Sequence, residues 1–269
     1  MKRKVLGILM TAVMAAMLMT GCKNAEYKEA EVTFQEAMSA LEDQNAELDT
    51  EISNARVLVD SEDIALDESL RPELETAISD AKKCRVDIPE MAKDLEEIKN
   101  QTKTMEDADY TEALSELSSA YDALDKSIKQ YALVNNPSES YVIQCLQETE
   151  HITGIDAATE ENDPNGHLGK QGGYSAQVYF SLDLIDQDEV SGDSIIDKGT
   201  ACGGSIEVYT TEEDAESRND YLAGFDGSIL SNGYHVVIGT CVIRVSDELA
   251  ASKQTEMVDI IEERLIRLD

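Results

Sequence analysis

The sequence predicts an α+β protein, with an N-terminal antiparallel three-helix bundle followed by a small α+β head. Between residues 27 and 131, apolar residues recur at alternating steps of four and three, which is the heptad pattern of packed helices. After Pro137, short alternating apolar and polar runs divided by turn-rich stretches indicate strands. We therefore expect a leader over 1–21, a helical stalk over 22–135 and a head over 136–269.

The chain is acidic from residue 23 onward, and its first 22 residues carry +3. Its 269 residues include 56 Asp and Glu against 22 Lys and Arg, a formal net charge of −34. The excess is −17 over 23–135 and −20 over 136–269. Binding to nucleic acid needs clustered basic side chains, so this even distribution argues against a nucleic-acid partner. A hydrophobic content of 42% still allows each half to bury a core.

The first 22 residues have the layout of an export signal. Lys2, Arg3 and Lys4 form a basic start, and residues 5–19 form an uncharged apolar run. That run is shorter than the roughly 20 residues of a membrane-spanning helix, but it suits the hydrophobic region of a signal peptide. Two small residues and then Cys22 follow it.

The stretch "LMTGC" at 18–22 resembles the lipobox of bacterial lipoproteins, with Met19 where leucine is usual. The resemblance implies a diacylglyceryl group on the Cys22 sulfur and cleavage that makes Cys22 the first residue. Palmitate-like acyl chains, at about 0.8 kcal/mol per buried CH₂, are then expected to anchor the chain at the extracytoplasmic face of the cell membrane. The alternatives are an uncleaved anchor helix and a secreted protein with an incidental cysteine.

The first predicted helix carries a heptad seam over about four repeats. Asn45 is its one polar member, and a polar residue on a seam can set the register of packing. The alternative is that Asn45 faces solvent at the edge of the bundle. The seam residues are Phe34, Met38, Leu41, Asn45, Leu48, Ile52, Ala55 and Val59.

A second seam runs from Leu70 to Met105, with Pro89 inside it. Proline has no amide proton and clashes with the preceding turn, so the helix is expected to be disturbed near it. Because the heptad phase continues across Pro89, we predict one long helix that is kinked between Arg85 and Pro89. The alternative is a short loop at 86–88, with Pro89 as the first residue of a new helix.

A third seam over 110–131 ends before the stop signal at 135–137. Three seams with short connections predict the antiparallel bundle. The stretches "LRPELETAISDAK" at 70–82 and "YTEALSELSSAYDALDKSI" at 110–128 resemble three-helix repeat modules of Gram-positive surface proteins, including FIVAR-type repeats. The resemblance implies a spacer or an adhesive surface and assigns no ligand-binding residue.

The head is expected to pack helices on an antiparallel or mixed sheet of about three strands. Within its last strand, Val237 and Cys241 are expected on the same apolar face. Thr211 is the expected cap of the helix that follows the second strand. In chain order, the predicted elements are a helix over 142–152, strands over 176–184 and 205–211, a helix over 212–225, a strand over 233–246 and a helix over 257–268.

The stretch "GGSIEVYTTEEDAESRNDYLAGFDGSILSNGYHVVIGTCVIRVSDEL" at 203–249 resembles a C-terminal domain that recurs in Gram-positive surface lipoproteins. The resemblance extends over most of 174–265. That domain has no established activity, so the resemblance implies a fold and a location only.

The candidate binding residues are Glu207, Tyr209, Arg218 and Tyr221. If the strand and the helix that carry them pack together, Arg218 can pair with Glu207 or with an acidic group of a partner. The alternative is a surface ion pair, which contributes about 0–1 kcal/mol. The sequence contains no nucleophile elbow, phosphate-binding loop or dinucleotide-binding motif, and we predict no catalytic residue.

No cofactor and no metal site is predicted. The three histidines lack zinc-type spacing, and the partial D-x-N-G pattern at Asp163 is interpreted as a turn. The alternative is a calcium-stabilised module, at Asp163 or at the acidic cluster over 186–193. Cys84 and Cys241 suit buried positions, and Cys202 with Cys241 is the preferred pair if a disulfide forms.

Anchor, spacer and head together favour a non-enzymatic surface lipoprotein whose head binds a protein or an envelope component. The alternative is an extracytoplasmic, envelope-acting enzyme with its site in the C-terminal domain. That site is expected in the loop over 154–173 or near Glu207 and Arg218.

Overall fold

The computed structural model describes residues 22–227 and 233–268, and the predicted leader lies outside them. The chain has the α+β fold class that the sequence predicts. It divides into two compact units. Within the described residues, the helical unit consists of 22–54 with 79–115, and the α+β unit consists of 55–78 with 116–227 and 233–268.

The described N-terminal half contains four helices, so the three-helix bundle is not confirmed. The prediction of one kinked helix was wrong, because the helix that begins at Leu70 ends at Cys84 and the next begins only at Leu95. The alternative, a new helix that begins at Pro89, was also wrong. The four helices are α1 Cys22–Val59, α2 Leu70–Cys84, α3 Leu95–Glu106 and α4 Thr111–Val134.

Side chains from the neighbouring helices satisfy the backbone of the non-helical segment 85–94. The Val86 amide donates to the Tyr110 hydroxyl at 2.9 Å, and Asn45 Nδ2 donates to the Val86 carbonyl at 3.0 Å. Tyr110 in turn donates to Asn45 Oδ1 at 2.8 Å. We call these three residues the Asn45 clamp. Asn45 is only 3% exposed, so the alternative in which it faces solvent at the edge of the bundle was wrong.

The head carries a five-stranded antiparallel sheet in the order β1-β2-β3-β5-β4. The prediction of about three strands was wrong for two reasons. Residues from Ile152 onward form an edge strand instead of the end of a helix, and the strand predicted over 233–246 folds into a hairpin. The strands are β1 Ile152–Ala157, β2 Ala176–Leu182, β3 Gly203–Val208, β4 Tyr234–Ile238 and β5 Cys241–Val245.

The hairpin turns through Gly239, whose φ of +54° lies in the left-handed region. Only two residues separate the strands, so Val237 pairs with Val242 across the hairpin. Across this turn, the residues of β4 and β5 that share a face of the sheet differ by one position from those of a single continuous strand. Val237 therefore packs with Val242, while Cys241 belongs to the main core on the other face. The shared face predicted for Val237 and Cys241 was wrong.

Helices cover both faces of the sheet. The main core lies between one face and the helices α5 and α8, and α7 packs on the other face against β4 and β5. Strand β2 is buried along its whole length, because the main core packs on one of its faces and Ile196 packs on Tyr179 on the other. The helices of the head are α5 Glu139–Gln147, α6 Ile195–Lys198, α7 Glu212–Ala223 and α8 Ala251–Leu265, with a 3₁₀ turn at Gly199–Cys202.

Helix α7 begins where the sequence predicts. Thr211 has extended backbone geometry, and its side-chain hydroxyl oxygen accepts a hydrogen bond from the amide of Asp214 at 3.2 Å. This cap satisfies one of the amides that a helix start leaves without a partner. The position of α7 matters for function because this helix carries two of the four candidate binding residues, Arg218 and Tyr221.

Candidate functional site

The structure brings three of the four candidate binding residues into direct contact. Glu207 lies on β3, Tyr209 follows that strand, and Arg218 reaches Glu207 from α7. Arg244 on β5, which the sequence analysis missed, completes the group. We call these four residues the Glu207 cluster. The sequence did not reveal Arg244 as a member, because nothing in it predicted that β5 pairs with β3.

Both oxygens of the Glu207 carboxylate are fully engaged. Oε2 accepts from Arg218 Nε at 2.8 Å and from the Tyr209 hydroxyl at 2.8 Å. Oε1 accepts from Arg218 Nη2 at 3.0 Å and from Arg244 Nη1 at 3.1 Å. A carboxylate offers about four lone-pair positions, so the carboxylate is saturated. A group in this state has no acceptor left for a substrate proton or for a partner's donor.

Burial confirms that the cluster is internal. Glu207 is 0% exposed and Arg244 is 7% exposed. The pairing of Arg218 with Glu207 was predicted, but the expectation of a surface ion pair was wrong. A carboxylate at this depth needs hydrogen-bonded positive partners, because an unpaired buried charge is very costly.

The cluster shifts the titration of two of its members. Burial alone lowers the pKa of Arg218, but its hydrogen bonds and its attraction to Glu207 outweigh this, and the net shift is upward. Burial raises the pKa of the Tyr209 hydroxyl, and the neighbouring Glu207 charge raises it further. Arg218 therefore stays charged and Tyr209 stays neutral over the physiological range.

Tyr221 differs from the other three candidates because it faces solvent. It is 59% exposed, and its ring packs edge-on against Phe225 at a centroid distance of 5.1 Å. The guanidinium carbon of Arg218 lies 5.5 Å from the Tyr221 ring centroid, within the range of a cation–π contact. The predicted patch thus offers an exposed aromatic ring above a buried ionic cluster.

Two buried polar atoms lie on the same face of the sheet. Gln177 on β2 is the strand neighbour of Glu207, and Ser205 on β3 is the strand neighbour of Arg244. Gln177 Nε2 and Ser205 Oγ have no hydrogen-bond partner among the described residues. Buried groups of this kind are commonly satisfied by an internal water molecule.

Asp163 forms a turn, as interpreted from the sequence. Its Oδ2 accepts the amides of His167 at 2.7 Å and Leu168 at 2.8 Å, and its Oδ1 accepts the amide of Asn165 at 3.0 Å and the Tyr174 hydroxyl. Burial raises the pKa of this carboxyl group, but the hydroxyl and the three amides outweigh burial, so the net shift is downward.

The described cysteines differ from two of the predictions. Cys202 and Cys241 do not form a disulfide, and Cys84 is exposed where a buried position was expected. Cys241 is buried as expected, and burial raises the pKa of its thiol to about 12. Over residues 22–227 and 233–268, no group of three or more His, Cys, Asp and Glu side chains is placed to hold a metal ion.

Cys22, the predicted lipid-attachment residue, is the first residue that the structure describes, and it lies in α1. The apolar run over 5–19 lies outside the described residues. None of the helices within the described ranges is both long and apolar enough to cross a membrane.

Comparisons with protein-family models, with curated proteins and with solved structures found no match. The resemblances to the lipobox, to FIVAR-type modules and to the surface-lipoprotein domain therefore stay predictions from sequence.

Proposed function

We propose that this chain is a membrane-anchored surface lipoprotein without enzymatic activity. Lipid on Cys22 holds it at the extracytoplasmic face, and the helical unit acts as a spacer for an α+β head that binds a protein or an envelope component. One observation carries the spacer part of the proposal: helix α1, Cys22–Val59, continues without a break for 38 residues. At about 1.5 Å per residue, such a helix is roughly 57 Å long.

The charge pattern at the start of the chain supports the anchor. A basic start, an uncharged run of 15 residues and two small residues before Cys22 are what export and lipid attachment require. Once the apolar run is cleaved off, two acyl chains supply the hydrophobic attachment that one chain provides only weakly. Thr20 and Gly21 leave little steric bulk next to the thiol.

The Glu207 cluster supports a binding protein over an enzyme. A catalytic carboxylate needs access to substrate and a free acceptor position, whereas Glu207 is buried and saturated. Tyr221 is the member of the predicted patch that a partner can reach, and exposed aromatic residues are enriched at protein interfaces. We therefore assign the cluster a structural role beneath a binding surface.

Metabolic labelling tests the anchor. In cells supplied with radiolabelled palmitate, we expect label in the wild-type chain and in a Cys84→Ser control, and none in Cys22→Ser. The Cys22→Ser chain should also leave the membrane fraction. Wild-type chain without label, or equal label in Cys22→Ser, contradicts the proposal. Protease treatment of intact cells then tests the extracytoplasmic location, because an exposed head is digested and an internal one is protected.

A further inference from the structure

We propose that the open edge of strand β4 binds an extended, cationic peptide segment of a partner, which joins the sheet as a further strand. This inference rests on the proposed binding function of the head and names a partner class for it. β4 is the last strand in the order β1-β2-β3-β5-β4 and, among the described residues, pairs with β5 alone. Addition of a strand to a free sheet edge is a common mode of peptide recognition.

The backbone groups of two β4 residues point away from the sheet. The two-residue turn closes the hairpin with a hydrogen-bonded pair, Ile238 with Cys241. Because hydrogen-bonded and non-hydrogen-bonded pairs alternate, His235 and Val237 lie in the non-hydrogen-bonded pairs. Neither residue makes a backbone hydrogen bond outside the sheet to another described residue. Their amides and carbonyls are therefore open to a further strand.

The opposite edge of the sheet, β1, is protected in two ways that β4 lacks. A register shift between Ile152 and Gly154 interrupts its pairing with β2, and the exposed Asp156 places a charge within the strand. Bulges and charged side chains are the usual means by which proteins keep an edge strand from pairing further. β4 pairs without a register shift and contains no acidic residue, lysine, arginine or proline. Of the two edges, β4 is therefore the one suited to accept a strand.

Carboxylates border β4 on the face that α7 covers. Asn219 Oδ1 lies 2.7 Å from His235 Nδ1, which identifies the side of α7 that faces β4. Glu216 precedes Asn219 by three residues and therefore lies on the same side of the helix. Asp226 Oδ1 lies 3.4 Å from His235 Nε2. Glu216 and Asp226 are both exposed, while the one basic residue of α7 pairs with a buried carboxylate instead.

Helix α8 carries carboxylates toward β4 on the other face. This helix packs against both α5 and β4, and Arg264 marks its α5 side because it pairs with Glu148 at the end of α5. Glu262 is two residues away from Arg264, on the nearly opposite side of the helix. Asp259 lies three residues before Glu262, on the same side. Burial raises the pKa of the Glu262 carboxyl group, and the Asp259 charge raises it further, as expected where no cation is close.

These charges decide which kind of strand fits the edge. An added strand alternates its side chains between the two faces of the sheet, and carboxylates border both faces. Lysine or arginine side chains are therefore favoured in either register. The charge of −20 over 136–269 acts in the same direction. A second copy of this chain brings the same carboxylates against each other, and like-charge repulsion disfavours that pairing.

Amide hydrogen exchange tests the edge directly, in the full chain in a nonionic detergent, with acetyl-Lys-Val-Lys-Val-Lys-amide as the probe. With ¹⁵N-labelled histidine and valine, the amides of His235 and Val237 should exchange about tenfold more slowly at saturating peptide, because each gains a hydrogen bond. The amide of Val236 should change far less, because it already bonds within the sheet to Ile243. Acetyl-Glu-Val-Glu-Val-Glu-amide, the charge-reversed match, should bind about tenfold more weakly.

Two adjacent residues of α8 test the role of charge. Glu262→Gln removes a carboxylate on the β4 side and should weaken binding of the lysine peptide by about two- to fivefold in a peptide titration. Glu263→Gln removes the same charge from the Arg264 side of the helix, where Glu263 lines a depression with Arg264 and Glu150, and should leave binding unchanged. The melting temperature of each variant, taken alongside, confirms that it folds.

The inference is overturned if the lysine peptide does not bind, if the glutamate peptide binds equally well, or if binding leaves the exchange of His235 and Val237 unchanged. It is also overturned if Glu263→Gln weakens binding as much as Glu262→Gln does. Exchange at His235 that slows with protein concentration in the absence of peptide identifies a second copy as the occupant and refutes the cationic partner. Palmitate labelling of Cys22 does not depend on β4, so a chain that is labelled but does not bind the peptide refutes this edge while leaving the proposed anchor intact.

Discussion

The helical unit and the head each contain a buried polar group, and the two are built differently. The Asn45 clamp is neutral: an amide and a phenol satisfy the backbone of Val86. The Glu207 cluster is ionic, with one carboxylate held by two guanidiniums and a phenol. The clamp serves a backbone segment that is not helical, whereas the cluster links two strands of the sheet to α7.

The two groups differ in how much free energy of unfolding is lost when one hydrogen-bonding partner is removed by mutation. A neutral amide without its partner costs about 1–3 kcal/mol. A buried charge without its partner costs more, because its desolvation has nothing to offset it. Similar hydrogen-bond lengths in the two groups therefore hide different sensitivities to mutation.

The largest expected effect comes from Glu207→Ala. It leaves Arg218 and Arg244 buried without their carboxylate, so the free energy of unfolding should fall by about 3–5 kcal/mol. Urea denaturation measures this change. Glu256→Ala, which breaks an exposed pair with Lys253, is the matched control and should cost less than about 1 kcal/mol. Equal losses in the two variants contradict the assignment of a buried ionic cluster.

Asn45→Ala is expected to come second. It leaves the Val86 carbonyl and the Tyr110 hydroxyl each short of one hydrogen bond, so we expect a loss of about 1–3 kcal/mol in the free energy of unfolding. The control is Asn54→Ala on the exposed face of α1, which should change the free energy of unfolding by no more than about 0.5 kcal/mol. If Asn45→Ala proves as costly as Glu207→Ala, the contrast between neutral and ionic clusters fails.

The third prediction concerns pH. The pKa of Asp163 is lower in the folded than in the unfolded state. The ionised carboxylate therefore adds to the free energy of unfolding in full above the unfolded pKa of about 3.9, and this contribution is lost as pH falls through the folded pKa. Asp163→Asn should therefore destabilise the head by about 1–2 kcal/mol at pH 7, and by less below pH 4. Urea denaturation at pH 7, 5 and 3 checks this, with exposed Asp188→Asn as control. If Asp163→Asn lowers the free energy of unfolding by the same amount at all three pH values, the lowered pKa of Asp163 is contradicted.

The smallest effect on stability is expected at Cys84. This thiol is exposed on the helical unit, so maleimide should label it in the native protein, and Cys84→Ser should change the free energy of unfolding by at most about 0.5 kcal/mol. Cys202 and Cys241 should react only after unfolding, because both are buried in the head. Mass spectrometry of native and unfolded samples counts the labels. Native labelling of Cys241 would contradict the buried position.

Local patterns explain which parts of the candidate site could be predicted. The pairing of Arg218 with Glu207 followed from a strand and a helix with a recognisable cap at Thr211. Arg244 was missed because its contact with Glu207 depends on β5 pairing with β3, and no local pattern in the sequence reports which strands are neighbours. A continuous helix was predicted near Pro89 because the heptad phase continues across it. The helix is broken there, and the side chains of Asn45 and Tyr110 hydrogen-bond the exposed backbone of Val86.

The sequence by itself determined the α+β class, the end of α1, the approximate extent of α4 and the start of α7, because periodicity and capping are local properties of the chain. Only the tertiary structure decided the number of strands, the length of the break between α2 and α3 and the burial of Glu207. Alternation reports that one face of a strand is apolar, but it does not report what covers the other face. In this head α7 covers it, and a carboxylate that looked exposed became the centre of a buried ionic cluster.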